Sequence, residues 1–183
     1  MKADFFKMKL AGLYSIKLNK LSDDRGAFVK FYNADFFSRM NAHFVPEEMY
    51  LTVSKKNTLR GMHFQLPPSH HNKAVFCTKG AALDVAVSLR KDDYGQLDYL
   101  QLSPMPGDCQ GVFLPAGLAH GFLALEDDTE MLYIQDSQYD PALDEGVLWS
   151  SIDFDWGMKD PLLSERDKLH SALKDFTKVA DWD

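Results

Sequence analysis

The sequence contains little of what stabilises small secreted proteins or anchors a chain in a membrane. It has two cysteines, Cys77 and Cys109, which do not form a CxxC pair, so the pattern predicts two buried thiols rather than a disulfide scaffold. No stretch is long and uncharged enough to span a bilayer, and lysines interrupt the apolar residues in positions 1–9. We therefore expect a soluble, cytoplasmic protein without membrane partners.

Motifs for binding nucleic acids and common nucleotide cofactors are also absent. The chain has 27 acidic and 20 basic side chains, a net charge of −7 and no basic run, so nucleic acid is not an expected partner. It has neither GxGxxG after a strand nor GxxxxGK[ST], so neither a dinucleotide site nor a P-loop is supported. An enzyme with this sequence is expected to work without a redox cofactor, and an anionic ligand would need a locally positive pocket.

Short apolar or alternating runs separated by turn residues dominate the chain. Many such runs at regular spacing predict an all-β sandwich or jelly-roll barrel. Turn signals at Lys79-Gly80 and Pro115-Ala116-Gly117 fit this pattern, and 45% apolar residues suffice for one domain spanning residues 1–183. The predicted strands are 14–18, 27–32, 50–54, 74–78, 82–89, 98–102, 111–114, 121–125 and 130–136, with a further strand-like run at 59–65.

Helical signals are few and predict short peripheral helices. Residues 33–42 form an amphipathic pattern through Phe36, Phe37 and Met40. A C-terminal helix is predicted to begin at Ser164 as N-cap, with Asp167 at the capping-box position, and to run to about residue 175.

A metal site is not predicted. Jelly-roll barrels often hold a metal through an HxH pair, but the equivalent stretch here reads His63-Phe64-Gln65 and has one histidine. His70 and His71 lie nearby in a Pro- and His-rich loop. Adjacent histidines point in different directions, and no carboxylate follows at a ligand-like interval, so we expect these two to be solvated.

Three segments and one lysine supply groups suited to proton transfer. LRGMHFQ at 59–65 contains Arg60 and His63, LPAGLAHGF at 114–122 contains His120, LYIQDSQY at 132–139 contains Tyr133, and Lys73 lies between them. Singly, each side chain has an ordinary structural interpretation, such as a core tyrosine or a solvated lysine. Together they supply a base, cations and a phenolic acid for moving protons on an anionic substrate.

Alternation along two of these strands predicts where the side chains point. His63 should lie on the face opposite Met62 and Phe64, and so enter the mouth of the barrel if those two pack against another layer. Tyr133 should face away from Leu132 and Ile134.

These segments together resemble one family, the dTDP-4-dehydrorhamnose 3,5-epimerases, cupin-like jelly rolls that act on nucleotide-linked 4-keto-6-deoxy sugars. The resemblance spans nearly the whole chain, and the order and spacing of its segments are specific. The segments are Asp24-Arg25-Gly26-Ala27-Phe28, LRGMHFQ, the Lys73 region, residues 84–90, LPAGLAHGF, LYIQDSQY and LLSERD at 162–167. The resemblance implies a cofactor-free epimerase that inverts C3, C5 or both, with a nucleotide sugar as substrate and a homodimeric assembly.

The same resemblance implies roles for individual residues. His63 would be the proton acceptor, with Asp167 as its carboxylate partner, and Tyr133 would be the proton donor. Lys73 would contact the substrate near its keto oxygen. N-terminal strands exchange in the family's dimers, so Arg25 would reach the neighbouring subunit's site. Ligands for the phosphates and sugar would be Arg25, Arg60 and His120, and Tyr139 would stack on the base.

Several positions depart from the family pattern around the nucleotide. Lys30 stands where the family usually has glutamate, and Glu48 and Tyr50 replace a Gln-x-Asn segment before LRG. Asp144 and Arg166 stand where the family has glutamate and lysine, and both keep the charge sign. Because these positions contact the nucleotide in the family, we hypothesise that the same reaction is applied to a nucleotide other than dTDP or to a different keto sugar.

Elementary chemistry agrees with the implied roles. A carbon next to a ketone can be deprotonated because the charge spreads to oxygen as an enolate, and Lys73, helped by His120, is suited to stabilise that oxygen. An imidazole titrates near neutral pH, and a carboxylate partner fixes its tautomer and supports its protonated form. Two alternatives stay open, a keto-sugar isomerase of the same fold and a non-catalytic sugar-binding cupin.

Overall fold

Two antiparallel sheets face each other in the computed structural model, which describes residues 2–38, 44–105, 107–176 and 182. The strands are β1 (Ala3–Lys7), β2 (Tyr14–Asp23), β3 (Gly26–Val29), β4 (Glu48–Ser54), β5 (Leu59–Gln65), β6 (Lys73–Lys79), β7 (Ala82–Ser88), β8 (Leu97–Leu102), β9 (Asp108–Leu114), β10 (Leu118–Ala124), β11 (Thr129–Gln135) and β12 (Asp144–Gly146). The larger sheet has the order β1-β2-β9-β6-β11-β4, with β3 paired to β2, and the smaller has β12-β5-β10-β7-β8.

Central strands are apolar on both faces because both faces of each sheet are covered. In β6, Val75 belongs to the apolar cluster between the sheets, while its neighbour Phe76 points into a second cluster outside the larger sheet. The short helix α1 (Ala34–Ser38) covers this outer cluster through Phe37. Burying one large apolar side chain contributes about 1.5–3 kcal/mol, so these layers account for much of the stability.

Most predicted strands are present, and the differences have local causes. Strand β1 escaped prediction because Asp4 and Lys7 interrupt its apolar pattern, and β12 because it has three residues and no apolar alternation. Strand β3 ends at Val29 instead of residue 32. Strand β10 begins at Leu118, which places His120 inside the strand and not at its start.

The predicted first helix is confirmed over residues 34–38. Helix α1 spans Ala34–Ser38, and residues 39–42 of the predicted helix, with Met40, lie outside the described residues. No helix in the described ranges is long and apolar enough to cross a membrane.

The predicted C-terminal helix starts correctly but was wrong in length. The hydroxyl of Ser164 accepts a hydrogen bond from the backbone N–H of Asp167 at 3.1 Å, as an N-cap does. Helix α2 (Glu165–Lys168) then ends after one turn, and a 3₁₀ turn follows at Leu173–Asp175.

Packing against the smaller sheet explains why α2 stops. Ser171 forms a parallel bridge with Val147, which requires extended backbone and cannot lie inside a helix. Leu173 and Phe176 are then buried in the cluster outside the smaller sheet. Tertiary contacts therefore override the local helical pattern over this segment.

Two glycines let β5 and β10 approach closely, and this approach positions two histidines. Gly61 has a φ of +140°, and a Cβ there would lie 2.5 Å from the Cα of Gly121. A Cβ on Gly121 would lie 2.8 Å from the carbonyl oxygen of Arg60. The register of the two strands sets His120 opposite His63. Side chains at either glycine would separate the strands that carry these imidazoles.

Candidate active site

A cavity of about 530 Å³ opens between the two sheets. Strands β4, β6 and β11 of the larger sheet and β5 and β10 of the smaller one supply its walls, and the segment from Leu162 to Asp167 closes one side. A second cavity of about 290 Å³ shares Tyr50, His63, Lys73 and Arg166 with the first. The two together form one continuous candidate site.

Eleven of the twelve residues predicted for the site line these cavities. Those in the first cavity are Tyr50, Arg60, His63, Lys73, His120, Tyr133, Arg166 and Asp167. The second cavity adds Glu48, Tyr139 and Asp144. The alternation predicted for His63 and Tyr133 is confirmed, because their strand neighbours pack into the clusters outside the two sheets.

Arg25 is the exception within this chain. It lies at the turn between β2 and β3, its side chain is 90% exposed, and its Nη2 lies 2.6 Å from the Oδ2 of Asp23. It lines neither of the two cavities, so its predicted contact with the site of a neighbouring subunit stays a prediction.

His63 and Asp167 form a hydrogen-bonded pair across 104 residues of sequence. The Nε2 of His63 lies 2.8 Å from the Oδ1 of Asp167. An ionised carboxylate only accepts, so this nitrogen carries a proton, and in the neutral imidazole Nδ1 keeps a free lone pair. Burial tends to raise the pKa of Asp167, but the contact with His170 and the hydrogen bond from His63 outweigh it, and the pKa lies well below its usual range. The carboxylate therefore stays charged beside the imidazole.

A second histidine–carboxylate pair involves Asp84, which sequence reasoning had not assigned a role. The Nε2 of His120 donates to the Oδ2 of Asp84 at 2.9 Å, and both side chains are 3% exposed. Burial lowers the pKa of His120 despite the opposing influence of Asp84, so its ring is neutral and presents Nδ1 as an acceptor. An acidic residue in the apolar run DVAVSL was the available signal, because charges are rarely buried without a partner.

Lys73 is a buried cation that faces the substrate cavity. It is 7% exposed, and burial lowers its pKa to about 8, although Asp84 and Asp144 oppose this shift. In the described part of the chain, no carboxylate lies within ion-pair distance of its ammonium. Its charge is therefore available to an anion in the cavity.

Tyr133 is a buried phenol that keeps its proton at neutral pH. Its ring stacks on Tyr50 with centroids 4.7 Å apart and an interplanar angle of 9°, and it meets His120 edge to face at 6.4 Å. Burial raises its pKa well above the usual value, with Tyr50 and Asp84 adding to the effect. The stack fixes the plane of a ring that can donate a proton into the cavity.

Arginine side chains add positive charge to the walls. Arg60 hydrogen-bonds through Nε to the hydroxyl of Ser54 at 3.1 Å, and Arg166 pairs with Asp144 at 2.7 Å. With Lys73, these groups make a locally positive pocket in a chain of net charge −7, as an anionic ligand requires.

The second cavity holds four of the five positions that depart from the family pattern, all except Lys30. Glu48 accepts hydrogen bonds from the backbone N–H of Tyr139 at 2.7 Å and from the amide of Gln135 at 3.2 Å. Tyr50 stands at the boundary of the two cavities. The replacements therefore lie beside the proton-transfer groups without displacing them.

His170 is a further residue that sequence reasoning missed. Among the described residues, one cluster brings three possible metal-ligating atoms within 4.8 Å of one another, on His63, Asp167 and His170. Within this cluster the Nε2 of His63 is hydrogen-bonded to the Oδ1 of Asp167 at 2.8 Å, and the Nε2 of His170 lies 3.6 Å from the same oxygen. His70 and His71 do not belong to it, and the expected absence of a metal stays a prediction.

The fold is a cupin-like jelly roll, and its cavity is lined by groups suited to acid–base chemistry. The family model for dTDP-4-dehydrorhamnose 3,5-epimerase matches residues 7–175. The chain belongs to this family, and it is an epimerase. The predicted family and enzyme class are thereby confirmed.

Individual relatives agree with this assignment. The chain is 33% identical over 150 residues to dTDP-4-dehydrorhamnose 3,5-epimerase from Shigella flexneri, covering 79% of this chain and 82% of the relative. It is 33% identical over 164 residues to dTDP-4-dehydrorhamnose 3-epimerase from Streptomyces niveus, covering 87% and 78%. The crystal structure of the 3,5-epimerase from Sulfolobus tokodaii matches with a TM-score of 0.89 and 29% identity, covering 99% of this chain and 100% of the other. This similarity confirms the predicted jelly-roll fold.

Proposed function

We propose that the protein inverts C3, C5 or both of a nucleotide-linked 4-keto-6-deoxy sugar without a cofactor. One observation carries the proposal. One cavity is lined by the imidazole of His63 with its free ring nitrogen, the protonated phenol of Tyr133 and the buried ammonium of Lys73. These are the groups needed to remove a proton next to a ketone, to hold the enolate and to return a proton to the other face.

His63 is the proposed base. Its Nδ1 takes the proton from the carbon next to the ketone, and the imidazolium that forms is stabilised by the Asp167 carboxylate at 2.8 Å. General base catalysis of this kind contributes about 100- to 10,000-fold.

Lys73 is the proposed partner of the developing oxyanion. His120 was expected to help stabilise this oxygen, but we propose a different role for it. A neutral His120 already donates its N–H to Asp84, so it has no second proton to give to the enolate oxygen. Its Nδ1 can accept a hydrogen bond from a sugar hydroxyl instead. The Lys73 ammonium then stabilises the charge on oxygen. This electrostatic stabilisation is strong because the site is buried.

Tyr133 is the proposed acid. A phenol with a raised pKa retains its proton until a carbanion-like carbon approaches it, and the enolate is basic enough to take that proton. The phenolate that results is stabilised by Arg60, whose charge opposes the rise in the pKa of Tyr133.

The pH profile is expected to fall on the alkaline side because of Lys73. With a pKa of about 8, this lysine is cationic below that pH and loses its charge above it. The value of kcat/KM should therefore decrease about tenfold per pH unit above pH ~8. Lys73→Arg should move the decrease beyond pH ~10, since a guanidinium stays charged. Lys73→Met should lose about 100- to 1,000-fold below pH ~8, and this deficit relative to the wild type should shrink at higher pH, where Lys73 is itself neutral. A wild-type profile that stays flat to pH ~10 would contradict this role.

The nucleotide is proposed to differ from dTDP, or the keto sugar from that of dTDP-4-dehydrorhamnose. Glu48 and Tyr50 change the charge and shape of the wall beside Lys73, and Lys30 is an exposed cation outside both cavities. Loss of an amide pair and gain of a carboxylate alter which hydrogen-bond donors the pocket can satisfy.

Proton NMR in D₂O tests the proposed reaction. The protein is mixed with 4-keto-6-deoxy sugars linked to dTDP, UDP, CDP and GDP, and the exchanging carbon and the product stereoisomer are recorded. Deuterium at C3, C5 or both with inversion is the expected result. A product with its ketone moved would identify an isomerase, and no exchange with any sugar would refute catalysis. A clear calorimetric preference for dTDP over the other nucleotides would refute the altered specificity alone.

We also propose the predicted location and domain organisation. Both cysteines are free and buried, which suits a reducing cytoplasm. The two sheets share one apolar cluster and form the cavity walls jointly, so residues 1–183 are proposed to act as a single domain.

We propose a homodimer because one face of the edge strand β4 carries exposed apolar side chains. This strand is at the edge of the larger sheet, and Met49, Leu51 and Val53 are exposed on it, while the alternate residues Tyr50 and Thr52 face the cavity. An apolar edge strand of this kind is normally covered. A second subunit that covers it would sit beside the active site, where a partner's Arg25 is expected.

Substitutions that introduce charges on this face of β4 are expected to separate the subunits of the dimer. Light scattering should give a dimer mass for the wild type and a monomer mass for the double variant Leu51→Asp/Val53→Asp, because two buried carboxylates would lack partners. Leu169→Asp, at a residue that is 83% exposed, is the matched control and should stay dimeric. A monomeric wild type at micromolar concentration would overturn the proposal.

A further inference from the structure

His170 lies close to the proposed catalytic pair without any assigned role. It follows α2, its side chain is 10% exposed, and its Nε2 lies 3.6 Å from the Oδ1 of Asp167. This is the same oxygen that His63 contacts at 2.8 Å. The two imidazoles meet edge to face with centroids 5.6 Å apart and an interplanar angle of 72°. One carboxylate oxygen is therefore approached by two imidazoles.

A glycine on β12 makes room for this ring. Any Cβ at Gly146 would overlap the Nε2, Cε1 and Cδ2 atoms of His170. Gly146 is also the residue that pairs with His63 in the register of β12 and β5. The missing side chain thus creates a slot beside the catalytic base, and the imidazole of His170 fills it.

The only carboxylate near the Nε2 of His170 in the described ranges is that of Asp167. This nitrogen is buried and has no hydrogen-bond partner among the described residues, and the Oδ1 of Asp167 lies just beyond hydrogen-bond distance at 3.6 Å. Burial tends to raise the pKa of Asp167, and contact with His170 is the largest of the influences that lower it instead. The fit of the His170 ring beside Gly146 and its influence on the pKa of Asp167 both indicate that His170 acts on this carboxylate.

We propose that His170 is a positioning residue for the catalytic base, acting through Asp167. Its N–H approaches Oδ1, restrains the carboxylate in the plane of the His63 ring and withdraws part of its negative charge from His63. The inference rests on the proposed function, because it assumes that His63 is the base. The direction of the expected effect on His63 does not depend on the charge of His170. Either a donated hydrogen bond or a positive charge makes protonation of His63 less favourable.

The other titratable groups that face His63 are unchanged by substitutions at His170. Those that line the two cavities with His63 are Glu48 and Tyr50 of β4, Arg60 of β5, Lys73 of β6, Tyr133 of β11, Asp144 of β12, Arg166 of α2, and His71 and Tyr139 of the loops. Asp84 of β7 acts by way of its hydrogen bond with His120 of β10. A change in the titration of His63 that follows a substitution of His170 is thus attributable to the lost imidazole.

Three variants separate positioning from packing. His170→Leu fills the slot without a donor, His170→Gln restores an N–H, and Leu169→Ala changes the exposed neighbour as a control. The titration of His63 is followed by ¹⁵N NMR in the substrate-free protein, and kcat and KM are measured against pH with dTDP-4-keto-6-deoxyglucose and the other nucleotide sugars. Thermal unfolding reports any packing defect.

The expected result is a shift of the His63 titration midpoint to higher pH by about one unit in His170→Leu. The acid limb of kcat/KM should move with it, and kcat should fall about tenfold while KM stays within about twofold, because the base is less well oriented. His170→Gln should restore both quantities toward wild type, and Leu169→Ala should change neither.

An unchanged His63 titration and unchanged kcat in His170→Leu would overturn the inference. So would equal losses in the Leu and Gln variants with a lowered melting temperature, since that pattern is one of packing alone. The proposed function is tested separately, because retained deuterium uptake in His63→Ala would contradict it. The NMR titration of His63 is informative whichever sugar the enzyme uses.

Discussion

Solvent deuterium uptake into the sugar is expected to disappear when His63 is replaced by alanine. The variant keeps Lys73, Tyr133 and Arg60 in the cavity but has no group that can remove the proton, so the exchange rate should fall by about 100- to 10,000-fold. Nucleotide-sugar binding, measured by calorimetry, should stay largely intact because the cationic walls are unchanged. Proton NMR in D₂O measures the exchange directly.

The control for this substitution is His70→Ala. His70 lines neither cavity, so its loss should leave exchange at the wild-type rate. Normal uptake in His63→Ala would remove this histidine from the mechanism. Parallel loss in both variants would indicate a general defect of the β5 region and not a missing base.

Exchange and inversion are expected to separate when Tyr133 is replaced by phenylalanine. The ring and its stack on Tyr50 persist, but the phenolic proton is lost. His63 can still remove the proton and return a deuteron to the same face, so exchange should continue with retention of configuration. The inverted product should decrease by about 100- to 10,000-fold, as measured by NMR of the product stereoisomers.

Tyr99→Phe is the control for the loss of a hydroxyl. This tyrosine is 57% exposed on the edge strand of the smaller sheet, and its variant should invert the sugar normally. If Tyr133→Phe forms the inverted product at the wild-type rate, the acid is another group. If exchange stops together with inversion, Tyr133 acts earlier than proposed, in orienting the ketone.

The sequence predicted the strands and the direction of key side chains because these depend on local patterns. A period of two along β5 and β11 is sufficient to orient His63 and Tyr133, since a strand in a covered sheet has only two faces. The resemblance of LRGMHFQ and LYIQDSQY to the family predicted the proton-transfer set, and the structure places these side chains at one cavity.

The features that escaped prediction depend on contacts between distant parts of the chain. The role of Asp84 depends on its register with β10, which brings its carboxylate to the ring of His120. His170 lies in a segment whose helical pattern is interrupted by pairing with Val147 through Ser171. No spacing within the segment itself encodes that pairing, so its effect on the catalytic pair is visible only in three dimensions.

The long separation between base and carboxylate also orders the events of synthesis. Arg60, His63 and Lys73 leave the ribosome early, whereas Asp167, in the cavity wall that begins at Leu162, follows 104 residues after the histidine. The nascent polypeptide cannot assemble a competent proton acceptor until this late segment emerges and docks. Translation that stops ahead of it would yield a β-rich fragment with an imidazole but no counter-ion to orient it.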